Sequence, residues 1–148
     1  MKSQTAILLL VGLLVVYGVT TTLSEGDRSV ETAAEYSNPI KVMPHELRKA
    51  YTANTAAADQ KYAGQILELQ GMVDGISSDL GSGYVVRVWS GEEGEATSWG
   101  VDCYFGSEAQ SEIAKLAKGH TVVVRGRLEA GAFASSLGPS LKNAVFVP

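Results

Sequence analysis

The chain has a single cysteine and only two histidines in 148 residues. Cys103 has no second thiol to pair with, so no intramolecular disulfide forms, and the secreted disulfide-scaffold class is excluded, although an extracytoplasmic location is not. His45 and His120 stand far apart in sequence and neither has neighbours at metal-ligand spacing, so no zinc or other metal site is expected. No glycine-rich loop leads from a strand into a helix, as phosphate binding requires. The adjacent carboxylates Glu92 and Glu93 lie in a glycine-containing loop, which does not hold the fixed separation that acid and base catalysis needs. Cys103 alternates with Val101 and Phe105 and reads as a small apolar filler, not as a nucleophile with a base in reach. Cationic excess is also missing: the formal charge is −4, with a sequence pI near 5.1, which argues against a chain built to coat polyanions. These absences predict a non-enzyme with no catalytic residues, no metal and no cofactor.

What is present starts with an apolar run. After Lys2, residues Thr5 to Leu23 carry no charge over 19 positions, close to the ~20 residues a helix needs to cross the hydrocarbon core. The segment 1–23 is expected to be a membrane anchor; a cleaved signal peptide is the competing reading. No Ala-x-Ala site is present and no cysteine stands nearby to accept a lipid. Lys2 before the run, with Glu25, Asp27, Glu31 and Glu35 after it, points the remainder of the chain out of the cytoplasm. Residues 24–42 are polar and acidic without a sustained apolar period, and predict a tether.

From residue 43 onward the pattern is that of one folded domain. Pro44 to Tyr62 reads as one helix, with proline in its first turn and a stripe of Leu47, Ala50, Tyr51, Asn54 and Ala58, leaving His45 and Asp59 as polar surface. The stretch from Tyr62 to Ile76 then alternates, with Leu67, Leu69 and Val73 facing one way and Glu68, Gln70, Met72 and Asp74 the other. Glycines at 71 and 75 permit bends. A turn cluster over Ser77 to Gly83 leads to a second strand, Tyr84 to Trp89, and the acidic loop Ser90 to Ser98 leads to a third, Trp99 to Phe105. A compact helix is expected over Ser107 to Lys118, capped by Ser107 and burying Ile113, Leu116 and Ala117, with Gly119 ending it. Thr121 to Glu129 forms a fourth strand, with Val122, Val124 and Leu128 inside, and Leu141 to Val147 a fifth. A long bent first strand, and a helix between the third and fourth of five short strands, describe an all-β domain with helices: a five-stranded OB-fold barrel in β-β-β-α-β-β order.

Several stretches carry a resemblance as well: Ala50-Tyr-x-x-Asn54, Ala57-Ala-Asp-Gln-Lys-Tyr62, Gly71-x-Val73, Val101-Asp-Cys-Tyr-Phe105, Leu116-Ala-Lys-Gly119 and Val122-x-Val-x-Gly126. Together they resemble the tRNA_anti-like family of bacterial OB-fold proteins over roughly residues 45 to 148. The resemblance implies the OB fold and attachment behind a membrane or lipoprotein signal. The missing lipidatable cysteine departs from the lipoprotein pattern and leaves anchoring to the apolar helix.

On OB barrels the face of the second and third strands and the adjoining loops form the usual binding surface. The outward residues there are Arg87, Trp89 and Tyr104, joined by Arg125, Arg127 and Phe133 and by Trp99. Trp89 and Trp99 flank one hairpin and are also expected to pack across it as a stabilising pair. Residues 43–148 carry 9 lysines and arginines against 12 acidic residues, so single-stranded nucleic acid is a disfavoured ligand, because polyanion affinity depends on cationic contacts. The expectation is a membrane-tethered extracytoplasmic binding module whose ligand is a protein, peptide or glycan, with single-stranded RNA or DNA as the alternative.

Overall fold

The computed structural model describes residues 36–81, 83–91, 99–129 and 138–148. The apolar run at 5–23, most of the tether, residues 92–98 of the acidic loop and Phe133 therefore lie outside the described residues. Among the described residues no helix is long and apolar enough to cross a membrane.

The architecture is set by one long strand. The alternation from Leu67 onward forms β2, Ile66–Asp79, whose buried residues Leu67, Leu69 and Val73 are fully shielded from solvent. Its first half pairs antiparallel with β5, Thr121–Leu128, and its second half with β3, Gly83–Trp89. β3 pairs in turn with β4, Val101–Gly106, and β5 pairs antiparallel with β6, Ser140–Phe146. A short parallel contact of β4 with β6, at Asp102 with Ser140 and Cys103 with Leu141, closes the barrel. These five strands form the expected OB barrel. Its interior holds the inward set of every strand, including Val86, Val88, Val101, Cys103, Val124, Leu128 and Leu141. Burial pushes the Cys103 thiol pKa up, as befits a core filler.

Gly71 permits this arrangement by its lack of a side chain. A β-carbon there would overlap the Trp89 carbonyl oxygen and the Val88 side chain, so β2 can swing from β5 to β3 only with glycine at the crossover. At Asp74 the register slips by one, because Val73 sits opposite Val88 and Gly75 opposite Arg87. This is a β-bulge, which bends the strand further.

Several expectations are corrected. The tether does not run free to residue 42: Ile40–Val42 form β1, parallel to β2 at Leu67–Leu69. Tyr36 is buried, and its hydroxyl donates to the Asn143 carbonyl at 2.6 Å. The helix before the barrel is two helices, α1 Pro44–Ala53 and α2 Thr55–Tyr62. Asn54 is extended at the break, and its side chain accepts from the Ala57 N–H at 3.1 Å, so it caps α2 and is not part of a buried stripe. Asp59 is not mere decoration, because it accepts from the Tyr51 hydroxyl at 3.0 Å and ties α2 to α1. The expected turn from Ser77 begins later, as β2 continues to Asp79.

The connection from β4 to β5 is shorter in helix than its composition suggests. A 3₁₀ turn at Ser107–Ala109 precedes α3, Gln110–Ile113, and Ser107 is not its cap. Ile113 is buried and Leu116 packs on the core, but Ala117 is exposed. The physical reason lies in β2: the Gly119 N–H donates to the Val73 carbonyl at 2.7 Å and the Val73 N–H to the His120 carbonyl at 2.9 Å. The sheet captures the chain before another helical turn forms.

Candidate functional site

The outward residues of β2, β3 and β4 enclose a shallow groove of about 410 Å³, lined by Asp74, Gly75, Ile76, Ser77, Val85, Arg87, Asp102 and Tyr104. Strand parity explains the set. Val86 and Val88 must face the core, so Val85 and Arg87 face out; Cys103 and Phe105 face in, so Asp102 and Tyr104 face out. The antiparallel register then places Arg87 opposite Asp102 and Val85 opposite Tyr104.

Arg87 and Asp102 form a bidentate pair, Nε to Oδ1 at 2.7 Å and Nη2 to Oδ2 at 2.9 Å. The hydrogen bond to Asp102 raises the Arg87 pKa beyond its already high value, so the guanidinium stays charged and the bond is charge-assisted. Asp74 lies at the bulge and meets Lys118 Nζ at 2.9 Å. The Tyr104 ring lies under Lys142 Nζ at 3.5 Å, and Lys142 sits opposite Arg127 in the β5–β6 register. Tyr104, Lys142 and Arg127 thus form a row leading away from the groove around the barrel.

The sequence-derived residues divide accordingly. Arg87 and Tyr104 share the groove. Trp89 has the same outward parity but stands beyond the bulge, opposite Met72, and is half-buried. Trp99 packs against the core, with the Arg48 guanidinium 5.9 Å from its ring, so a cation contact is what the described residues show for it. Arg125 is on another face: its Nε meets Glu68 Oε2 at 2.6 Å and its Nη1 donates to the Tyr36 carbonyl at 3.3 Å. Arg127 donates from Nη1 to the Gly64 carbonyl at 2.7 Å. Phe133 is outside the described residues.

Asp74 and Lys142 were missed as site residues. The Asp74-Gly75 pair in a strand was a signal for a bulge, since glycine mid-strand marks one. Lys142 had none, because its neighbour Tyr104 is reached only through the long-range closure of β4 on β6.

A second depression, of about 220 Å³, lies between β1, the start of α1 and β2, and is lined by Lys41, Val42, Met43, Glu46, Glu68 and Gln70. Its Glu68 is held between Arg125 and Lys41, at 2.6 and 3.3 Å, and the Arg125 hydrogen bond keeps its carboxyl below the usual range. It is a structural junction. Among the described residues no group of three histidine, cysteine or acidic side chains gathers to hold a metal.

Comparisons place these features among known proteins. The tRNA_anti-like family model matches residues 1–134, taking in the apolar run and stopping short of β6. No curated protein matches the chain. Among solved structures, a candidate nucleic acid-binding lipoprotein of Klebsiella pneumoniae is 20% identical, with a TM-score of 0.61, covering 79% of this chain and 98% of that one. An OBody bound to hen egg-white lysozyme is 23% identical, covering 60% and 80%, with a TM-score of 0.45. The asparaginyl-tRNA synthetase of Pyrococcus horikoshii is 16% identical, covering 59% of this chain and 20% of that one, with a TM-score of 0.42. At these identities the likeness is one of fold.

Proposed function

The chain belongs to the tRNA_anti-like family of OB-fold proteins, and from that membership we propose that it is a non-catalytic, membrane-tethered extracytoplasmic module that binds a protein or glycan partner in the β2–β3–β4 groove. The observation that carries this reading is the state of the groove's charge. Among the described residues the cation that lines it is Arg87, bound through Nε and Nη2 to both oxygens of Asp102. A phosphate backbone entering there would have to break a bidentate pair and would meet Asp74 beside it, whereas polyanion binding is driven by cations that exchange counterions for phosphates. The rest of the lining, Val85, Ser77, Gly75 and the Tyr104 ring, offers apolar contact and small polar groups of the kind protein and glycan partners use.

Single-stranded nucleic acid is the second reading. It is favoured by the Tyr104–Lys142–Arg127 row, an aromatic ring followed by two cations, and by the fold shared with the Klebsiella lipoprotein, which is described as nucleic acid-binding. Stacking on Tyr104 with phosphates along the two cations would be its mechanism.

Two measurements separate them. Labelled single-stranded RNA and DNA are titrated against the full chain in detergent at about 50 and 200 mM salt, where nucleic-acid binding by several cations weakens steeply. No saturable binding is expected; steeply salt-dependent binding lost in Tyr104→Ala or Lys142→Ala refutes the protein or glycan reading. A photo-crosslinking residue at Ser77, in cells expressing the chain, is expected to trap a discrete partner that the same residue at Lys49 does not.

A further inference from the structure

β2 has two edges, and only one is occupied throughout. On one side β1 covers Leu67–Leu69 and β3 covers Met72–Asp79. On the other, β5 covers Ile66–Met72 and the Gly119–His120 turn takes both backbone groups of Val73. Beyond Val73, among the described residues, nothing pairs with that second edge. Residues Gly75-Ile-Ser-Ser-Asp79 therefore form an open strand edge bordering the groove. Native proteins blunt such edges with lysine, proline or a covering segment. This one carries neither lysine nor proline, and Ile76 is 40% exposed on it.

The chemistry beside the edge fixes what suits it. After the bulge Gly75 and Ser77 face outward, opposite Arg87 and Val85, and a β-carbon added at Gly75 would meet nothing within 4 Å. A strand added here would lie about 4.8 Å from β2, so a long side chain on it can cross over Gly75 and Ser77 into the groove. The first charged group it reaches is Asp74. That carboxylate, 17% exposed, is partnered by Lys118, whose side chain is 74% exposed, and a pair with one solvated partner holds it only weakly. An incoming anion would meet cations that already have partners, Arg87 bound at two nitrogens by Asp102 and Lys118 paired with Asp74.

We propose that the open edge of β2 from Gly75 to Asp79 accepts an extended peptide of a partner protein as an added strand, with a lysine or arginine of that peptide seated on Asp74 in place of Lys118. This deepens the partner-binding reading and rests on it. Backbone pairing supplies affinity and the groove supplies side-chain selection, the division seen wherever strand addition is used.

The test uses extended peptides about nine residues long, a length that matches ordinary strands, alternating valine and threonine around a central lysine, alanine or glutamate, titrated by fluorescence anisotropy against the full chain in detergent. The lysine peptide is expected to bind about tenfold more tightly than the glutamate peptide. Methylating alternate amides along the peptide's pairing edge is expected to abolish binding. Asp74→Asn erases the preference for lysine over alanine, and Lys118→Ala tightens the lysine peptide by about two- to fourfold, the size of a lost exposed competitor. Equal binding of all three peptides, binding of the methylated peptide, no binding up to about 1 mM, or dimerisation of the chain through this edge each overturns the proposal. A partner trapped at Ser77 while the peptides fail refutes strand addition and spares the partner-binding reading; salt-dependent oligonucleotide binding refutes that reading itself.

Discussion

Glu68→Gln tests whether the segment before the barrel is truly part of it. The carboxylate joins three strands: Lys41 on β1, its own β2, and Arg125 on β5, which in turn holds the Tyr36 carbonyl. The two ion pairs are unequal. Lys41 is 78% exposed, so its pair contributes about 0–1 kcal/mol. Arg125 and Glu68 are 29% and 11% exposed at 2.6 Å, and a charged hydrogen bond in that setting is worth about 1.5–3 kcal/mol. Glutamine keeps the shape and one acceptor, recovering about half of the second term, so the expected loss is about 1–2 kcal/mol.

The pH dependence gives an independent check. Hydrogen bonding to Arg125 lowers the Glu68 pKa below its ordinary 4.5 in the folded protein. A depressed carboxylate contributes stability that is complete above the unfolded-state value and is lost as the pH falls through the folded-state value. The difference between wild type and Glu68→Gln, measured by urea unfolding, is therefore constant near neutrality and shrinks below pH 4.5. Amide exchange at Lys41 and Val42 should quicken in the variant at neutral pH, because β1 has lost its side-chain tie. A difference below about 0.5 kcal/mol, the scale of an ordinary surface substitution, would refute this account, as would a difference that does not change with acid.

Gly71→Ala forces β2 and β3 apart at the crossover and is expected to destabilise the barrel by about 1–3 kcal/mol in urea unfolding, as overpacked core positions do. Asn54→Ala removes the α2 cap and is expected to cost about 1 kcal/mol, with Asn54→Ser largely retaining stability. Cys103 is fully buried and its thiol pKa is raised by that burial, so an aromatic disulfide reagent should label it only at the rate of unfolding; fast labelling of native protein would show an open barrel. For the apolar run, alkaline carbonate extraction is expected to leave the full-length chain in the membrane pellet, and a soluble product lacking residues 1–23 would refute the anchor.

Strand alternation made the barrel legible before any coordinates. Val86 and Val88, Val101 and Cys103, and Val122 and Val124 are apolar at every second position, and a period of two leaves one assignment of inside and outside. The helices were less legible for a local reason. Pro44 to Tyr62 is rich in good helix formers throughout, and the break is made by Asn54 turning its side chain to the Ala57 N–H, an interaction that propensity sums do not register. The brief α3 depends on capture of Gly119 and His120 by Val73, a contact across 46 positions. β1 was hidden for the same reason: three residues following Pro39 become a strand only because the Leu67–Leu69 edge is there to receive them. At the site, Arg87 and Tyr104 were readable from parity, but the pairing of Arg87 with Asp102 depends on register, which no single strand encodes.

The bulge at Asp74 connects fold to function most directly. Without it, continued alternation from Val73 would place Gly75 and Ser77 inside the barrel and Ile76 outside. With two residues, Asp74 and Gly75, set against Arg87, every later position changes face: Ile76 comes opposite Val86, and Gly75 and Ser77 come outward opposite Arg87 and Val85. One extra residue thus turns Ile76, 40% exposed, to the Val86 side of the sheet in place of a glycine. It also floors the outer groove with a glycine and a serine and stands a carboxylate beside them. Inserting one alanine between Gly75 and Ile76 should therefore do more than weaken a site. It should exchange the two faces of β2 from 76 to 79, uncovering Ile76 further and turning Ser77 inward, and so destabilise the barrel by about 1 kcal/mol or more, the scale of uncovering part of an isoleucine and covering a hydroxyl. Deleting Asp74 instead removes the extra residue and leaves Gly75 opposite Arg87 and Ile76 opposite Val86. Asp74→Ala, which keeps the residue count, should leave the fold intact and remove only the lysine preference. If the insertion and the substitution unfold at the same urea concentration, the facing of 76 to 79 is dispensable, and the groove owes its open floor to something other than register.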